Sequence, residues 1–380
     1  MDFTLDDEQK ALRNMVRTLL HGSYGDLEHR RAVTAKTPGY DKRLYGELAE
    51  LGLLGLAVSS VFGGSDAGPV EVGVVAKEVG RALAPEPFLT SAVLATEVVR
   101  TIGSVEHQQE LLPAMCGGEM MVSWAHHEPG QRWRDVATSV RATVDGDLWV
   151  LNGTKEPVPL GADVDLLLVS AALTDGRTGV FVVRSTADGL HRHGYETPGA
   201  GRLARIDFRD AVATPLGEDV RVDEDAIARV SALTAVMAGQ EAVGAMEKVL
   251  KMTTTYLTQR QQFGTTLNSF QALTFRAADM YVEVELAESL VQWATMVAAD
   301  DPDQLVDAAA RVSARVGRAA RHVAQEAIQL HGGIGMTAEH PVGAYAQRLT
   351  ALAQLVGTPD HHLSKLATHI HSYGALDPLG

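Results

Sequence analysis

The sequence predicts a three-part chain: an N-terminal α-helical domain over residues 1–119, a small β-barrel or sandwich over 120–220 and a C-terminal four-helix bundle over 221–380. Three observations predict it. Up to about residue 115, apolar residues recur at helical spacing. Between about 120 and 218, short alternating runs separated by turn residues read as strands. After Asp223, long Ala-rich stretches are joined by short turns.

In the first part, the spacing predicts a helix over Leu5–Leu20, with Thr4 as its N-cap and acidic residues in the first turn, where negative charge suits the helix dipole. Leu12, Met15, Val16, Leu19 and Leu20 form its apolar face. Further helices are expected at Asp41–Leu51, Pro69–Arg81, Ser91–Ile102 and Val105–Leu112, broken by Gly63-Gly64 and Pro85-Glu86-Pro87. In the second part, strands are expected from Met121 to Ala125 and at Ser139–Val144, Leu148–Leu151, Asp165–Val169, Gly179–Arg184 and Leu203–Phe208. Asp145-Gly146 marks a hairpin. In the third part, helices are expected at Asp223–Arg260, Gln271–Ala299, Asp303–Leu330 and Pro341–Val356. A last one lies near Asp360–Ile370, the helical region running to about His371.

Composition bounds the function. The chain has 380 residues, 46% hydrophobic and 21% charged, which is globular and long enough for two to three domains. A net charge of −15 argues against a nucleic-acid partner. No apolar run approaches the ~20 residues of a membrane span. The N-terminal stretch is acidic and amphipathic, without the basic and apolar regions of a secretory leader. One cysteine, Cys116, permits no intrachain disulfide, so a reducing cytoplasm is expected.

The chain is organised around Gln325–Thr358, QEAIQLHGGIGMTAEHPVGAYAQRLTALAQLVGT. A helix runs into Gly332, Gly333 and Gly335, whose bare backbone N–H groups a phosphate can approach. By itself this reads more readily as a capped helix and a loop than as a phosphate site. With QLHGGIGMTAEHP followed by a helix and Gly357-Thr358, the stretch resembles the C-terminal signature of the acyl-CoA dehydrogenase family. The order of helices, β block and helical bundle is also that family's architecture, so the resemblance covers nearly the whole chain.

The resemblance implies a cross-subunit FAD site. In YLTQRQQFGTTLNSFQ, Arg260, Phe263 and Gln271 match the segment that reaches a neighbour's FAD. Arg260 would supply a fork of donors to the pyrophosphate, Phe263 would pack near the adenine end and Gln271 would offer its amide. Gln329, Gly332 and Gly333 complete this cradle for the ADP half, and Gly357 and Thr358 are carried over as cofactor-binding positions. For Arg260 alone, a solvated helix-end arginine is the bland alternative.

The half that grips the flavin ring is altered. The family's Thr-Glu-Pro-Gly-Ala-Gly-Ser-Asp turn matches His127-Glu128-Pro129-Gly130-Gln131-Arg132-Trp133-Arg134. Glu-Pro-Gly survives, while an Arg and a Trp stand where backbone approaches the cofactor. The family's Trp-x-Thr motif, after Asn152-Gly153, is replaced by Pro157 and Pro159, and proline has no N–H to offer. The catalytic carboxylate, which must reach the substrate α-proton, is also missing. Its usual position is Val356, and the alternative position used by a minority of relatives is Thr234, next to Ala235. No catalytic residue is therefore assigned. Glu241 is a candidate relocated base, although a polar interface role is the simpler reading.

Other clusters carry less. His126-His127 and His361-His362 lack further ligands at suitable spacing, so no metal is expected. Glu283, Glu285 and Glu288 read as a solvated or interfacial helix face. Arg311, Arg315, Arg318 and Arg321 form a basic stripe suited to pairing with a subunit.

The expected function is a catalytically silent subunit of an α2β2 acyl-CoA dehydrogenase of the actinobacterial steroid-catabolism type. Its FAD is shared with a homologous catalytic partner, acyl-CoA is the substrate and an electron-transferring flavoprotein the acceptor. Two alternatives stay open: an active homotetramer with a relocated base, and a flavin-free scaffold.

Overall fold

The computed structural model describes residues 4–131, 133–368 and 370. Helices α1 (Asp7–Tyr24), α2 (Leu27–Thr34), α3 (Lys42–Glu50), α4 (Pro69–Ala82), α5 (Thr96–Ile102) and α6 (Val105–Cys116) form the first part, with a π-helical turn at Phe88–Ala95 leading into α5. The cap of α1 is Asp6, not Thr4. The Asp6 carboxylate accepts from Gln9 N at 2.8 Å and the Gln9 side chain accepts from Asp6 N at 3.1 Å, a reciprocal box that a threonine two residues earlier does not form. Helix α2 is not expected from the sequence, because none of its residues is fully buried and it shows no clear apolar face.

The middle part is β1 (Val122–Ala125), β2 (Arg141–Asp145), β3 (Leu148–Pro159), β4 (Leu166–Ala172), β5 (Thr178–Arg184), β6 (Leu190–Thr197) and β7 (Gly201–Pro215). The sheet closes on itself: β4 pairs β5, β5 pairs β7, β7 pairs β3, β3 pairs β2, and β2 returns to β4 at Arg141–Ala172. The structure is thus a closed barrel. The β2–β3 turn falls at Asp145-Gly146 as the sequence predicts, with Asp145 opposite Leu148. Strands β3 and β7 are far longer than expected and β6 is new. Among the described residues strand β6 pairs only with β7, and its His191, His193 and Glu196 side chains are exposed.

The last part holds α7 (Glu224–Gln259), a hairpin of β8 (Gln261–Gln262) and β9 (Thr265–Thr266), α8 (Gln271–Asp300), α9 (Leu305–His331), α10 (Val342–Leu352) and α11 (Pro359–Thr368). Three long helices pack together, and the shorter α10 and α11 occupy the fourth position. Small residues let α4 cross α7 closely. A Cβ on Gly80 would sit 1.9 Å from Glu241 O, and one on Gly244 would sit 1.8 Å from Lys77 O. One continuous apolar core, from Val16 through Phe181 to Leu349, runs through all three parts. The expected helix end near His371 lies outside the described residues.

Three arginines of the stripe form ion pairs within the chain. Arg315 pairs with Glu283 at 2.5 Å, Arg311 with Asp307 at 2.6 Å and Arg318 with Asp360 at 3.5 Å. Glu288 holds Lys77 at 2.6 Å. The Arg315, Arg318 and Glu288 pairs join α9 or α8 to neighbouring helices, the Arg311–Asp307 pair lies within α9, and Arg321 and Glu285 are exposed.

Candidate functional site

Two sites emerge, at opposite ends of the bundle. The first is a cavity of about 360 Å³ between barrel and bundle, lined by Trp124, His126, His127, Trp133, Pro157, Pro159, Ala235, Leu355, Val356 and His362 among others. It brings together the residues at which the sequence departs from its relatives: the loop from His127, both prolines and Val356. Thr234 does not reach it. That side chain is fully buried and its hydroxyl donates back to Val230 O at 2.9 Å.

The loop that enters this cavity is anchored from within. Glu128 accepts from Thr138 N at 3.0 Å, Ser139 N at 2.7 Å and Val140 N at 2.9 Å. The fully buried Lys155 donates to Glu128 Oε1 at 2.9 Å, His126 O at 2.8 Å and Ser170 Oγ at 3.0 Å, which uses all three ammonium protons. Burial alone would raise Glu128. Lys155 and the backbone donors outweigh it and hold the carboxyl at about 2. Burial lowers Lys155 to about 8. Burial, then Lys155, lowers His126 to about 3, so the ring is neutral. Its Nε2–H donates to Arg134 O at 2.5 Å and Nδ1 accepts from Ser170 at 2.8 Å. Glu-Pro-Gly therefore persists for a structural reason: Glu128 is the hub of a satisfied buried network.

From that anchor, the loop is tied across to the bundle. Trp133 Nε1 donates to Gln354 O at 3.1 Å, His127 Nε2 meets Leu355 O at 3.4 Å and Lys365 pairs with Asp135 at 3.0 Å. Trp133 holds φ +64, a conformation that bulky residues rarely adopt. Arg132 lies outside the described residues.

Glu241 is not a wall of this cavity. It is 1% exposed and accepts from Arg348 Nε at 2.6 Å, while Arg348 also donates to Gly199 O at 3.1 Å. The carboxylate ties α7 to α10 and to the barrel and lies away from the cavity in which a relocated base would have to act.

The second site gathers Arg260, Phe263, Gln271, Gln329, Gly332 and Gly333 at the other end of the bundle, all of them exposed. Arg260 caps α7, Gln271 opens α8 and Gln329 closes α9. Tyr256 stacks on His331 with centroids 4.7 Å apart, and His331 lies 4.4 Å from His340, which locks the α7 end against the α9 end. Phe263 and Gly264 form the two-residue β8–β9 turn with φ +55 and +81, and the Phe263 ring is 92% exposed. A strained, exposed aromatic is a mark of a contact surface. A Cβ on Gly332 or Gly333 would meet nothing within 4 Å, so bare backbone faces open space there. Among the described residues no ion pair engages Arg260. The donors and the open backbone fit the ADP half of a dinucleotide.

Gly357 and Thr358 do not join this group. Gly357 is buried at φ +136, where a Cβ would meet His362 Nε2 at 2.4 Å, and Thr358 Oγ1 accepts from His361 N at 3.2 Å to start α11. Gly357 and Ala238 line one cleft, and Arg260 lies 22 residues further along α7, roughly 33 Å at 1.5 Å per residue. What sequence reasoning missed was the Lys155–Glu128 hub. The surviving Glu128 was its only signal. Among the described residues no cluster of three His, Cys, Asp or Glu is placed to hold a metal ion, and no helix is long and apolar enough to cross a membrane.

Residues 6–119 match the acyl-CoA dehydrogenase N-terminal domain and residues 229–371 the acyl-CoA dehydrogenase C-terminal domain. The chain belongs to the acyl-CoA dehydrogenase family. It is 30% identical to acyl-CoA dehydrogenase FadE27 of Mycobacterium tuberculosis, over 91% of this chain and 92% of that one. Among solved structures it resembles a variant of the Tcur3481–Tcur3483 steroid ACAD, with TM-score 0.87 and 29% identity over 97% of this chain and 99% of that one. It also resembles the ChsE4–ChsE5 complex from Mycobacterium tuberculosis, with TM-score 0.88 and 27% identity over 99% of this chain and 100% of that one.

Proposed function

We propose that this chain is a catalytically silent subunit of a heteromeric, FAD-dependent acyl-CoA dehydrogenase, and that its cradle completes the cofactor site of a homologous catalytic partner. The observation that carries the reading is the contrast between the two sites. The ring-side cavity presents Val356, Pro157, Pro159 and a strapped Trp133 where a base and backbone donors would be needed. The ADP cradle keeps its donors and open backbone. FAD when bound supplies the hydride acceptor for α,β-desaturation of an acyl-CoA thioester. Arg260 would hold the pyrophosphate, Phe263 would cover the adenine end, and Gln271, Gln329 and the Gly332-Gly333 backbone would complete the grip. Ala235 of the ring cavity and Arg260 of the cradle are 25 residues apart along α7, roughly 38 Å at 1.5 Å per residue, which favours a cofactor held across subunits.

An exposed apolar stripe on α8 supports a partner of this kind. Phe275, Val282 and Leu286 share one helix face and are 59%, 51% and 51% exposed. The likeness to the Tcur3481–Tcur3483 steroid ACAD and to the ChsE4–ChsE5 complex supports an α2β2 assembly acting on steroid-derived CoA thioesters. An electron-transferring flavoprotein as acceptor and a cytoplasmic location complete the proposal, the latter supported by the single buried thiol Cys116.

The test is reconstitution. Desaturation of a steroid side-chain CoA thioester is measured with this chain alone, with a homologous partner that carries the catalytic Glu, and with both. Turnover only with both supports the proposal. Turnover by this chain alone contradicts it.

A further inference from the structure

A second cleft, which adjoins the ring-side cavity at Pro159, Thr197, Pro198 and Ala200, lies between α2, the β6–β7 hairpin and α10, with a volume of about 510 Å³. Four arginines line it: Arg30, Arg31, Arg202 and Arg348. Three are neutralised. Arg31 pairs with Glu28 at 2.5 Å, Arg202 with Asp163 at 2.9 Å and Glu196 at 3.0 Å, and Arg348 with Glu241 at 2.6 Å. Arg30 differs. Its Nε donates to Leu83 O at 2.6 Å, and among the described residues no carboxylate lies within 4 Å of it. Burial and then the charge of Arg348 hold Arg30 below the usual guanidinium range, outweighing the opposing effects of Tyr345, Tyr24 and Glu86.

Glu86 lines the same cleft and is 4% exposed. Its Oε1 accepts from the Tyr24 hydroxyl and from Asp41 N at 3.3 Å, while Oε2 is buried with no partner. Burial raises this carboxyl to about 7, so a neutral, proton-bearing form is accessible near neutrality. A buried polar atom without a partner costs about 1–3 kcal/mol. The remaining wall is apolar, from Leu83, Pro87, Leu89, Pro159 and Leu160.

We propose that this cleft binds an organic monocarboxylate with an apolar body: its charge pairs with Arg30, one oxygen accepts from Glu86, and its body lies against the proline and leucine wall. A single uncompensated guanidinium beside a protonatable carboxyl matches one negative charge, whereas a dianion would need a second cation and the other three arginines are already paired. The volume lies within the usual range for small-molecule sites. The inference is independent of the silent-subunit reading, and its test involves no flavin.

The test is calorimetric titration of the full chain with sodium hexanoate, hexanamide and inorganic phosphate. Hexanoate binds saturably at one site, and the uncharged amide and phosphate do not. Arg30→Gln weakens hexanoate by about tenfold or more, the loss of one charge-assisted contact. Arg30→Lys keeps part of the affinity, and Glu86→Gln, whose amide still donates, stays within about threefold of the parent. No saturable heat with hexanoate, equal binding of hexanamide, or unchanged affinity in a folded Arg30→Gln chain overturns the proposal. Should circular dichroism show that Arg30→Gln is unfolded, the contrast between hexanoate and hexanamide on the parent chain decides.

Discussion

Trp133 Nε1 donates to the backbone carbonyl of Gln354 at 3.1 Å, which fastens the barrel loop to the bundle two residues before Val356. The indole thus lies over the cavity at the point where relatives carry a small residue. Replacing it with serine removes this bond and the contact with the His361 ring 5.8 Å away. Thermal unfolding of Trp133→Ser is expected to show a loss of about 1–2 kcal/mol. Flavin content is expected to stay at zero for the chain alone, because Pro157 and Pro159 still withhold their donors. A yellow Trp133→Ser protein would show that the indole by itself excludes the ring.

Lys155→Met leaves the Glu128 carboxylate buried without its cation. Breaking such a pair costs about 3–5 kcal/mol, and urea unfolding should report a loss of that size. The double variant Lys155→Met/Glu128→Gln should recover part of it. A loss below about 1 kcal/mol would mean that water relieves the carboxylate.

Glu86 makes stability depend on pH with a definite sign. Its folded value of about 7 lies above its ordinary 4.5, so the folded chain binds the proton more tightly. That contribution is fully present below pH 4.5 and is lost as pH rises through 7. His126 acts in the opposite sense: held near 3 against 6.5, it withdraws stability as pH falls from 6.5 toward 3. Relative to the parent, Glu86→Gln should therefore gain stability between about pH 5 and 8, by on the order of 2–3 kcal/mol, with Tyr24, Asp41 and Arg30 as the groups that face it. Denaturant midpoints at both pH values measure this. A parallel pH response of variant and parent would refute it.

Arg260→Ala tests the cradle. The side chain is exposed and carries no ion pair among the described residues, so the variant should unfold at the parent temperature. Flavin retained by the co-purified complex should fall about tenfold, as expected for loss of a charge-assisted contact to phosphate. Unchanged retention would remove Arg260 from the cofactor site.

Much of the site was legible in the sequence because its signals are local. Pro157, Pro159 and Val356 are read one residue at a time, and Gly332-Gly333 follows a helix whose apolar face is plain. The parts that were not legible depend on distant partners. Lys155 falls in a polar run beyond the strand expected at Leu148–Leu151, and it becomes a core residue only because Glu128, 27 residues earlier, is folded against it. Strand β6 carries the pattern of a solvated edge, which periodicity does not separate from a loop. Glu241 reads from sequence as a polar interface residue with a relocated base as the alternative, and its partner Arg348, brought to it by α10, lies 107 residues away. Gly357 is conformational, set by the His362 ring that packs on it.

Flavin stoichiometry tests the central claim most directly. Absorbance of bound FAD and mass by light scattering are measured for this chain alone and after co-expression with a homologous subunit that carries the catalytic Glu. The account predicts a colourless chain alone and a yellow heterotetramer with two FAD. Full flavin occupancy in the chain purified by itself would contradict it.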